Sequence, residues 1–174
     1  MLQSCGQLGK YRALRLILTG PPGAGKSRTV RAIAGLRRQR ARASAGRRAR
    51  QEGLGEEAAR KRGDEEARGA CVLAAPTGTA SYQMRAGATT LHRLFGIPIH
   101  VFGKTANQAA LAKRARRLKA ASLIGLDEFS MIGRHMLGKV KYKTDEALGA
   151  DLAGVGVLKS LGGKDCMLSG DPDQ

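Results

Sequence analysis

The sequence predicts an α/β fold in which a mainly parallel sheet is flanked by helices. Four short apolar runs, each ending in a loop rich in Gly, Pro, Asp or Thr, alternate with longer stretches of helical periodicity. That alternation is typical of parallel sheets, whose functional loops follow the carboxyl ends of the strands. With 174 residues the chain is long enough for a single domain with its own core, and we expect one domain over residues 1–174.

The individual elements follow from these runs in chain order. The apolar runs predict strands at residues 14–19, 70–75, 121–126 and 166–169. Apolar residues at helical spacing predict helices at residues 27–35, 78–86, 106–120 and 134–148. In the third of these helices, Leu111, Ala115 and Leu118 share one face, and basic residues surround the rest.

Residues 36–69 interrupt this alternation of strands and helices, because this arginine-rich segment has no hydrophobic face and few β-branched residues. Its 11 Lys/Arg against 6 Asp/Glu account for less than a third of the net charge of +17. The basic character therefore belongs to the whole chain. We interpret the segment itself as a solvated, flexible insertion between the first helix and the second strand, with a frayed helix as the alternative.

The overall composition limits the functional classes. A net charge of +17 with a pI near 10.8 favours polyanionic partners, of which phosphate backbones are the commonest inside cells. No apolar run is long enough for a transmembrane helix, and the first residues do not resemble a signal peptide, so we expect an intracellular protein without a membrane partner. Cys5, Cys71 and Cys166 lie far apart and predict reduced, mostly buried thiols rather than disulfides or a zinc site.

A glycine-rich loop after the first strand fits the pattern G-x-x-x-x-G-K-[ST] at every fixed position. Glycines allow the backbone N–H groups to turn inward toward phosphate oxygens, and the following helix adds its positive amino-terminal end. Lys26 is predicted to reach the β- and γ-phosphates, and the Ser27 hydroxyl to bind Mg²⁺. An accidental glycine-rich turn is the alternative, and the flanking strand and helix argue against it. The predicted nucleotide-binding residues are Gly20, Pro21, Pro22, Gly23, Ala24, Gly25, Lys26, Ser27 and Arg28.

Paired carboxylates follow the third apolar run. In a phosphate-loop fold, an Asp at this strand end holds the Mg²⁺ shell, which predicts a metal site from Ser27 and Asp127. The adjoining Glu128 is positioned in sequence to accept the proton of the attacking water as general base. A lone acidic pair at a strand end is commonly only a surface turn, and the preceding phosphate loop favours the catalytic interpretation.

Five segments now occur in a fixed order: GPPGAGKS, APTGTAS, TTLHRLFGI, LDEFSM and SGDPDQ. Together they resemble the first RecA-like domain of superfamily-one DNA helicases, in the branch that contains the RecD-like and PIF-type enzymes. The resemblance covers residues from about 14 to 174 apart from 36–69, and it does not separate the two types. It implies a RecA-like phosphate-loop NTPase fold with ATP and Mg²⁺ as cofactors.

The resemblance also implies roles for further residues. Gln174 matches the position that senses the γ-phosphate, which completes a predicted catalytic set of Lys26, Asp127, Glu128 and Gln174. Positions that touch single-stranded DNA in such helicases match Pro76, Thr77, Gly78, Thr90 and His92. By the same resemblance we expect 5′→3′ movement on single-stranded DNA, a role in repair, recombination or telomere maintenance, and a nuclear location in a eukaryote.

No segment of the sequence resembles the second RecA-like domain of these helicases. We therefore expect these 174 residues to be a fragment that binds ATP without unwinding DNA alone. Gly125 departs from the family pattern, because a β-branched residue is usual inside that strand. Gln3 and Gln7 are both candidates for reading adenine. Two other functions stay open, namely a different phosphate-loop NTPase such as a kinase or GTPase, and a non-catalytic basic DNA-binding module.

Overall fold

The fold is described from a computed structural model that covers residues 13–98, 108–148 and 161–171. Within these ranges the chain forms five strands, six α-helices and two short 3₁₀ turns, of which the one at residues 161–163 precedes the last strand. The strands are β1 (Arg15–Thr19), β2 (Cys71–Ala75), β3 (Thr89–Thr90), β4 (Leu123–Leu126) and β5 (Asp165–Gly170). The helices are α1 (Lys26–Gln51), α2 (Glu56–Gly69), α3 (Gly78–Met84), α4 (Leu91–Phe95), α5 (Gln108–Ala120) and α6 (Arg134–Leu148), and the other 3₁₀ turn is Phe129–Met131.

The five described strands form one sheet in the order β1-β5-β4-β2-β3, and every pairing is parallel. This confirms the predicted fold class, and each of the four predicted strands is present within one or two residues of its expected bounds. The short β3 was not predicted as a strand, because a two-residue pairing leaves no periodicity to detect. Since all strands are parallel, their carboxyl ends lie at one edge of the sheet.

The two faces of the sheet are buried by different helices. On β2, Cys71 and Leu73 belong to a core cluster with Val30 of α1 and Met84 of α3. Val72 and Ala74, the alternate residues of β2, belong to a second core cluster, which includes residues of α4, α5 and α6. Alternate residues of a strand point to opposite faces, so the sheet is covered on both sides and β2 is buried along its whole length. The result is a three-layer α/β/α arrangement.

Residues 36–69, predicted as a solvated, flexible insertion, instead form packed helices in the structure. This segment is the end of α1 and the whole of α2, which pack against each other as a helical hairpin. The contact uses small residues in place of a large apolar face: Ala45 and Ala49 of α1 and Ala59 of α2 are fully buried. An added Cβ on Gly63 of α2 would lie 2.9 Å from the backbone oxygen of Arg42. The helices approach so closely that alanine and glycine fill the interface.

Ion pairs line the edges of this hairpin. Arg42 pairs with Asp64 at 2.6 Å, and Arg48 pairs with Glu66 at 2.6 Å. Two further pairs lie near the connection between the helices, Arg50–Glu56 at 2.8 Å and Arg62–Glu52. All these side chains are more than a third exposed, so solvent screens each pair and its contribution to stability is small. The opposite charges therefore favour this alignment of the two helices over others, but they add little to the free energy of unfolding.

Gly125 has a packing explanation. It pairs in register with Leu73 on the neighbouring strand, and an added Cβ would lie 2.6 Å from a Leu73 methyl group. The Leu73 side chain thus occupies the volume that a β-branched residue would need at position 125. The departure from the family pattern is compensated on the adjacent strand.

Two expectations from composition can be compared with the described residues. Cys71 and Cys166 are free, buried thiols, as predicted, and burial raises the pKa of each. Cys5 lies outside the described residues. Among the helices that the structure describes, none is long and apolar enough to cross a membrane.

Candidate nucleotide and DNA site

The phosphate loop connects β1 to α1. Gly23 and Gly25 have φ angles of 79° and 84°, in the left-handed region that L side chains rarely adopt, and Gly25 is the residue that caps α1. An added Cβ at either glycine would meet no atom within 4 Å. Backbone conformation, rather than space, is what requires glycine at these two positions. The loop therefore has the curled shape expected of a phosphate cradle, with the amino-terminal end of α1 at its base.

The side chain of Lys26 lies against this loop. Its Nζ donates to the backbone oxygen of Gly20 at 2.5 Å and to that of Pro21 at 2.9 Å. Two carbonyl oxygens thus hold the ammonium group beside the loop rather than in bulk solvent. A phosphate oxygen bound in the loop would meet this ammonium at close range, as the predicted role of Lys26 requires.

Asp127 follows β4 and connects it to β5 and to the first turn of α1. Its Oδ2 accepts a hydrogen bond from the Ser27 hydroxyl at 3.3 Å, and its Oδ1 accepts one from the Ser169 hydroxyl at 2.5 Å. Asp127 is 4% exposed and Ser169 is completely buried. The predicted metal residues Ser27 and Asp127, separated by 100 positions in sequence, are therefore in direct contact. Both offer the hard oxygen donors that Mg²⁺ prefers, and both lie beside the phosphate loop.

Ser169 is a site residue that the sequence did not predict. It lies inside β5, in a run that was interpreted as a buried strand. A single serine in such a run has no local pattern that distinguishes a structural hydroxyl from one that anchors a catalytic carboxylate. The pairing of β4 with β5 is what brings it to Asp127.

Glu128 follows immediately in an uncommon backbone conformation. Its φ and ψ angles are 52° and 47°, and it caps the 3₁₀ turn Phe129–Met131. A left-handed non-glycine residue costs of order 1–3 kcal/mol and is found most often at functional sites. Gly170 packs closely against this turn, because an added Cβ on Gly170 would lie 2.9 Å from the Phe129 backbone nitrogen. The end of β5 and the turn after Glu128 are thus packed together.

The first predicted DNA segment, Pro76 to Gly78, follows β2 and begins α3. Thr77 caps this helix, and its hydroxyl oxygen accepts a hydrogen bond from the Ala80 nitrogen at 3.1 Å. The hydroxyl proton of Thr77 is still available to donate to a phosphate oxygen. In the same helix the Ser81 hydroxyl donates to the Gly78 oxygen at 2.8 Å.

The second predicted DNA segment has the same construction. Thr90 ends β3 and caps α4, accepting from the Arg93 nitrogen at 3.3 Å. His92 lies in the first turn of α4 and is partly exposed. Because β3 pairs with β2 through the contact of Ala75 with Thr90, the two threonine caps follow neighbouring strand ends. The structure thus brings the two predicted DNA segments to one edge of the sheet.

Part of the predicted site lies outside the described residues. These positions are Gln174, with the adjoining Pro172 and Asp173, and the two adenine candidates Gln3 and Gln7. Of the remaining nucleotide-binding residues, Pro21, Pro22, Ala24 and Arg28 are exposed on the loop and the first turn of α1. The described part of the site therefore consists of the loop, the Ser27–Asp127–Ser169 contact, Glu128 and the two threonine caps.

A family model described as an AAA domain matches residues 9–174, almost the whole chain. The chain belongs to this family. The match includes the phosphate loop, both threonine caps and the acidic strand end, so the site described above lies within the family domain. No curated protein matches the chain.

Solved structures of Pif1 helicases share the fold. Bacteroides sp. Pif1 in complex with ADP-AlF4 has a TM-score of 0.58 and 23% identity, and Bacteroides Pif1 bound to single-stranded DNA has a TM-score of 0.57 and 22% identity. The Candida albicans Pif1 helicase has a TM-score of 0.59 and 21% identity. The matches cover 92%, 94% and 92% of this chain.

The chain spans about 30% of the length of these Pif1 chains, specifically 29%, 29% and 30%. The shared part corresponds to one RecA-like domain, which confirms the fold implied by the motif resemblance. At these identities the likeness establishes the fold of the AAA domain, and the five motifs carry the argument on function.

Proposed function

We propose that this AAA domain is the nucleotide-binding domain of an ATP-driven DNA helicase that moves 5′→3′ on single-stranded DNA. The observation that carries the proposal is the contact of Ser27 and Asp127 beside two threonine-capped helices at the same sheet edge. A phosphate site and a DNA-backbone site at the same sheet edge would bring nucleotide and DNA to one domain, as a helicase motor requires.

On the nucleotide side, the curled loop binds the phosphates, and Lys26 contributes its charge to the β- and γ-phosphates. Ser27 and Asp127 would hold Mg²⁺, which would supply positive charge beside the phosphates. Glu128 accepts the proton of the attacking water. Gln174 is proposed to sense the γ-phosphate, by its match to the family motif.

On the DNA side, Thr77 and Thr90 each keep a hydroxyl proton that can be donated to a backbone phosphate, and Gly78 and His92 lie directly beside them. The short amino-terminal turns of α3 and α4 add backbone N–H groups at the same edge. Such contacts hold the phosphate backbone without reading bases, which suits a motor that must move along any sequence.

The solved relatives support both halves of the proposal. One Bacteroides Pif1 structure contains ADP-AlF4 and another contains single-stranded DNA, so a domain of this fold occurs in proteins that bind both ligands. We extend this to ATP, Mg²⁺ and single-stranded DNA for the present chain. Repair, recombination or telomere maintenance is the corresponding cellular role, with a nuclear location in a eukaryote.

The proposal is tested by measuring ATP hydrolysis with and without single-stranded DNA. A DNA motor is expected to hydrolyse ATP faster when an unstructured single strand is added, and a double Thr77→Val, Thr90→Val variant should respond less. The control is Ser122→Ala, which removes a hydroxyl that donates to the Ala70 oxygen, away from the phosphate loop and from the two helix caps. Hydrolysis that ignores DNA would instead favour a kinase or GTPase, and DNA binding without nucleotide binding would favour a non-catalytic module.

A further inference from the structure

A basic cleft of about 680 Å³ lies at the base of the helical hairpin. Its walls come from α1, α2, the start of β2, the loop after α3 and the end of α5. Four of its side chains are arginines, and one is a carboxylate. The charged lining residues are Arg38, Arg42, Arg68, Arg117 and Asp64.

The cleft is separate from the nucleotide loop and from the two threonine caps. It includes Cys71, the first residue of β2, whereas the DNA segment beginning at Pro76 follows the last residue of that strand. Five residues of extended strand separate these positions by roughly 16 Å. The cleft therefore opens at the amino-terminal end of the sheet, and the proposed motor site lies at the carboxyl end.

The charges of the cleft do not cancel. Asp64 is paired with Arg42 at 2.6 Å. Within the described residues, no ion pair is formed by Arg38, Arg68 or Arg117. Three guanidinium groups thus line one cleft with no described acidic partner, an arrangement that favours a ligand with several negative charges.

One wall of the cleft is held in a costly backbone conformation. Arg85 and Ala86 have φ angles of 56° and 51°, and Gly87 completes a run of three residues with positive φ. Non-glycine residues in such conformations cost of order 1–3 kcal/mol each and persist where their surroundings fix them. Here the Arg38 Nη2 donates to the Ala86 oxygen at 2.8 Å, while its buried Nε has no hydrogen-bond partner among the described residues. Arg38 is thereby fixed at the cleft wall before any ligand arrives.

We propose that this cleft binds the phosphate backbone of nucleic acid, at a second site that does not depend on ATP. Guanidinium forks match phosphate geometry, which explains arginine rather than lysine at all four cationic positions. The lining contains no aromatic side chain, so bases cannot stack there and little sequence preference is expected. The hairpin predicted as an insertion is thus the element that builds the cleft, through Arg38, Arg42 and Arg68.

The test uses the double variant Arg68→Gln, Arg117→Gln of the full 174-residue chain. Both side chains are exposed, so their loss should leave the fold intact, which thermal melting verifies. The matched control is Arg40→Gln, Arg47→Gln, which removes the same charge from exposed positions of α1 outside the cleft. Binding to a short blunt duplex and to an oligothymidine strand is titrated over a series of salt concentrations without nucleotide.

The cleft variant should bind the duplex roughly tenfold more weakly at low salt, and its salt slope should fall by about 0.9 for each phosphate that the protein no longer neutralises. The control should change affinity by less than about twofold, since long-range attraction alone is reduced. A larger effect on the duplex than on oligothymidine identifies paired nucleic acid as the ligand, and the reverse identifies single strands. Equal losses of affinity for the cleft variant and the control would overturn the proposal.

Polyglutamate serves as a competitor that carries carboxylates in place of phosphates. If it displaces the duplex as well as inorganic polyphosphate does, the cleft is a site for acidic protein and the proposal is wrong. The result is independent of the motor assignment, because Lys26→Ala should not affect duplex binding in the absence of nucleotide. If the wild-type chain failed to bind nucleotide while the cleft effect remained, the helicase proposal alone would be contradicted.

Discussion

Ser169 donates to Asp127 at 2.5 Å from a fully buried position, so one carboxylate oxygen is held by the protein while the other faces Ser27. Partners that orient a metal ligand typically change metal affinity 10- to 100-fold when removed. Ser169→Ala should therefore weaken Mg²⁺ binding by about that factor, measured as the Mg²⁺ concentration that supports half-maximal nucleotide binding. Ser122→Ala is the control, because its hydroxyl donates to the Ala70 oxygen away from the site. Equal Mg²⁺ dependence in both variants would show that Ser169 is structural.

Lys26 carries the charge that meets the β- and γ-phosphates in the proposed site. Charge-assisted contacts of this kind contribute roughly 1.5–3 kcal/mol, and about 1.4 kcal/mol corresponds to a factor of ten. Lys26→Ala should weaken ATP binding by one to two orders of magnitude in a fluorescent-nucleotide titration, whereas Lys113→Ala on exposed α5 should not. Equal affinities of wild type and Lys26→Ala would refute the phosphate site.

Glu128 and Asp127 are adjacent in sequence, but we expect substitutions at the two positions to affect different steps. Glu128→Gln removes a proton acceptor and keeps the side-chain shape, so nucleotide binding should persist while turnover stops. Asp127→Ala removes a metal ligand, so the Mg²⁺ dependence of binding should largely disappear. Steady-state hydrolysis and nucleotide titration on both variants separate these effects. Normal turnover by Glu128→Gln would exclude it as the general base.

At the scale of single elements, the strands were predictable and the hairpin was not. Every predicted strand had an apolar run beside a loop, and parallel pairing buried those runs as expected. The hairpin has no apolar run, because its interface is built from alanine and glycine that hide within a charged sequence. Hydrophobic periodicity cannot detect a contact that depends on close approach rather than on large side chains.

Two helical glycines provide a direct test of that close approach. Gly63→Ala places a Cβ 2.9 Å from the Arg42 oxygen, and this overpacking, costing roughly 1–3 kcal/mol, should exceed the gain of about 1 kcal/mol in helix propensity. The Cβ added by Gly35→Ala would meet no atom within 4 Å at this exposed position of α1. The substitution should therefore raise the free energy of unfolding by up to about 1 kcal/mol. Thermal or urea unfolding of both variants measures the free energy of unfolding. Stabilisation by both would indicate that the two helices do not pack as described.

At the scale of the whole molecule, the sequence predicted which residues would meet but not what holds them. Ser27 and Asp127 were expected to share a metal, and the strand order β1-β5-β4 brings them within 3.3 Å. The two threonine caps were assigned to DNA by resemblance, and the pairing of β3 with β2 places them at adjoining strand ends. Long-range partners such as Ser169, and the arginine cleft under the hairpin, depend on three-dimensional packing that no local pattern reports.

The last prediction concerns a polypeptide of these 174 residues assayed by itself. It should bind nucleotide and single-stranded DNA without displacing a strand from a duplex. The chain spans about 30% of the Pif1 chains that share its fold, and its single RecA-like domain offers one grip on DNA. Unwinding requires two grips that move relative to each other, and an arginine supplied from outside the phosphate loop is worth about 10³–10⁵ in turnover in related enzymes.

A strand-displacement assay on a 5′-tailed duplex, run beside binding titrations at two salt concentrations, measures both parts of this prediction. Binding should weaken steeply with salt, because it depends on phosphate contacts and on the net charge of +17. A Pif1 helicase under the same conditions shows that the substrate can be unwound. ATP-dependent displacement by the 174-residue polypeptide would mean that one RecA-like domain is enough for movement, and the coupling proposed between the phosphate loop and the threonine caps would then act without a second domain.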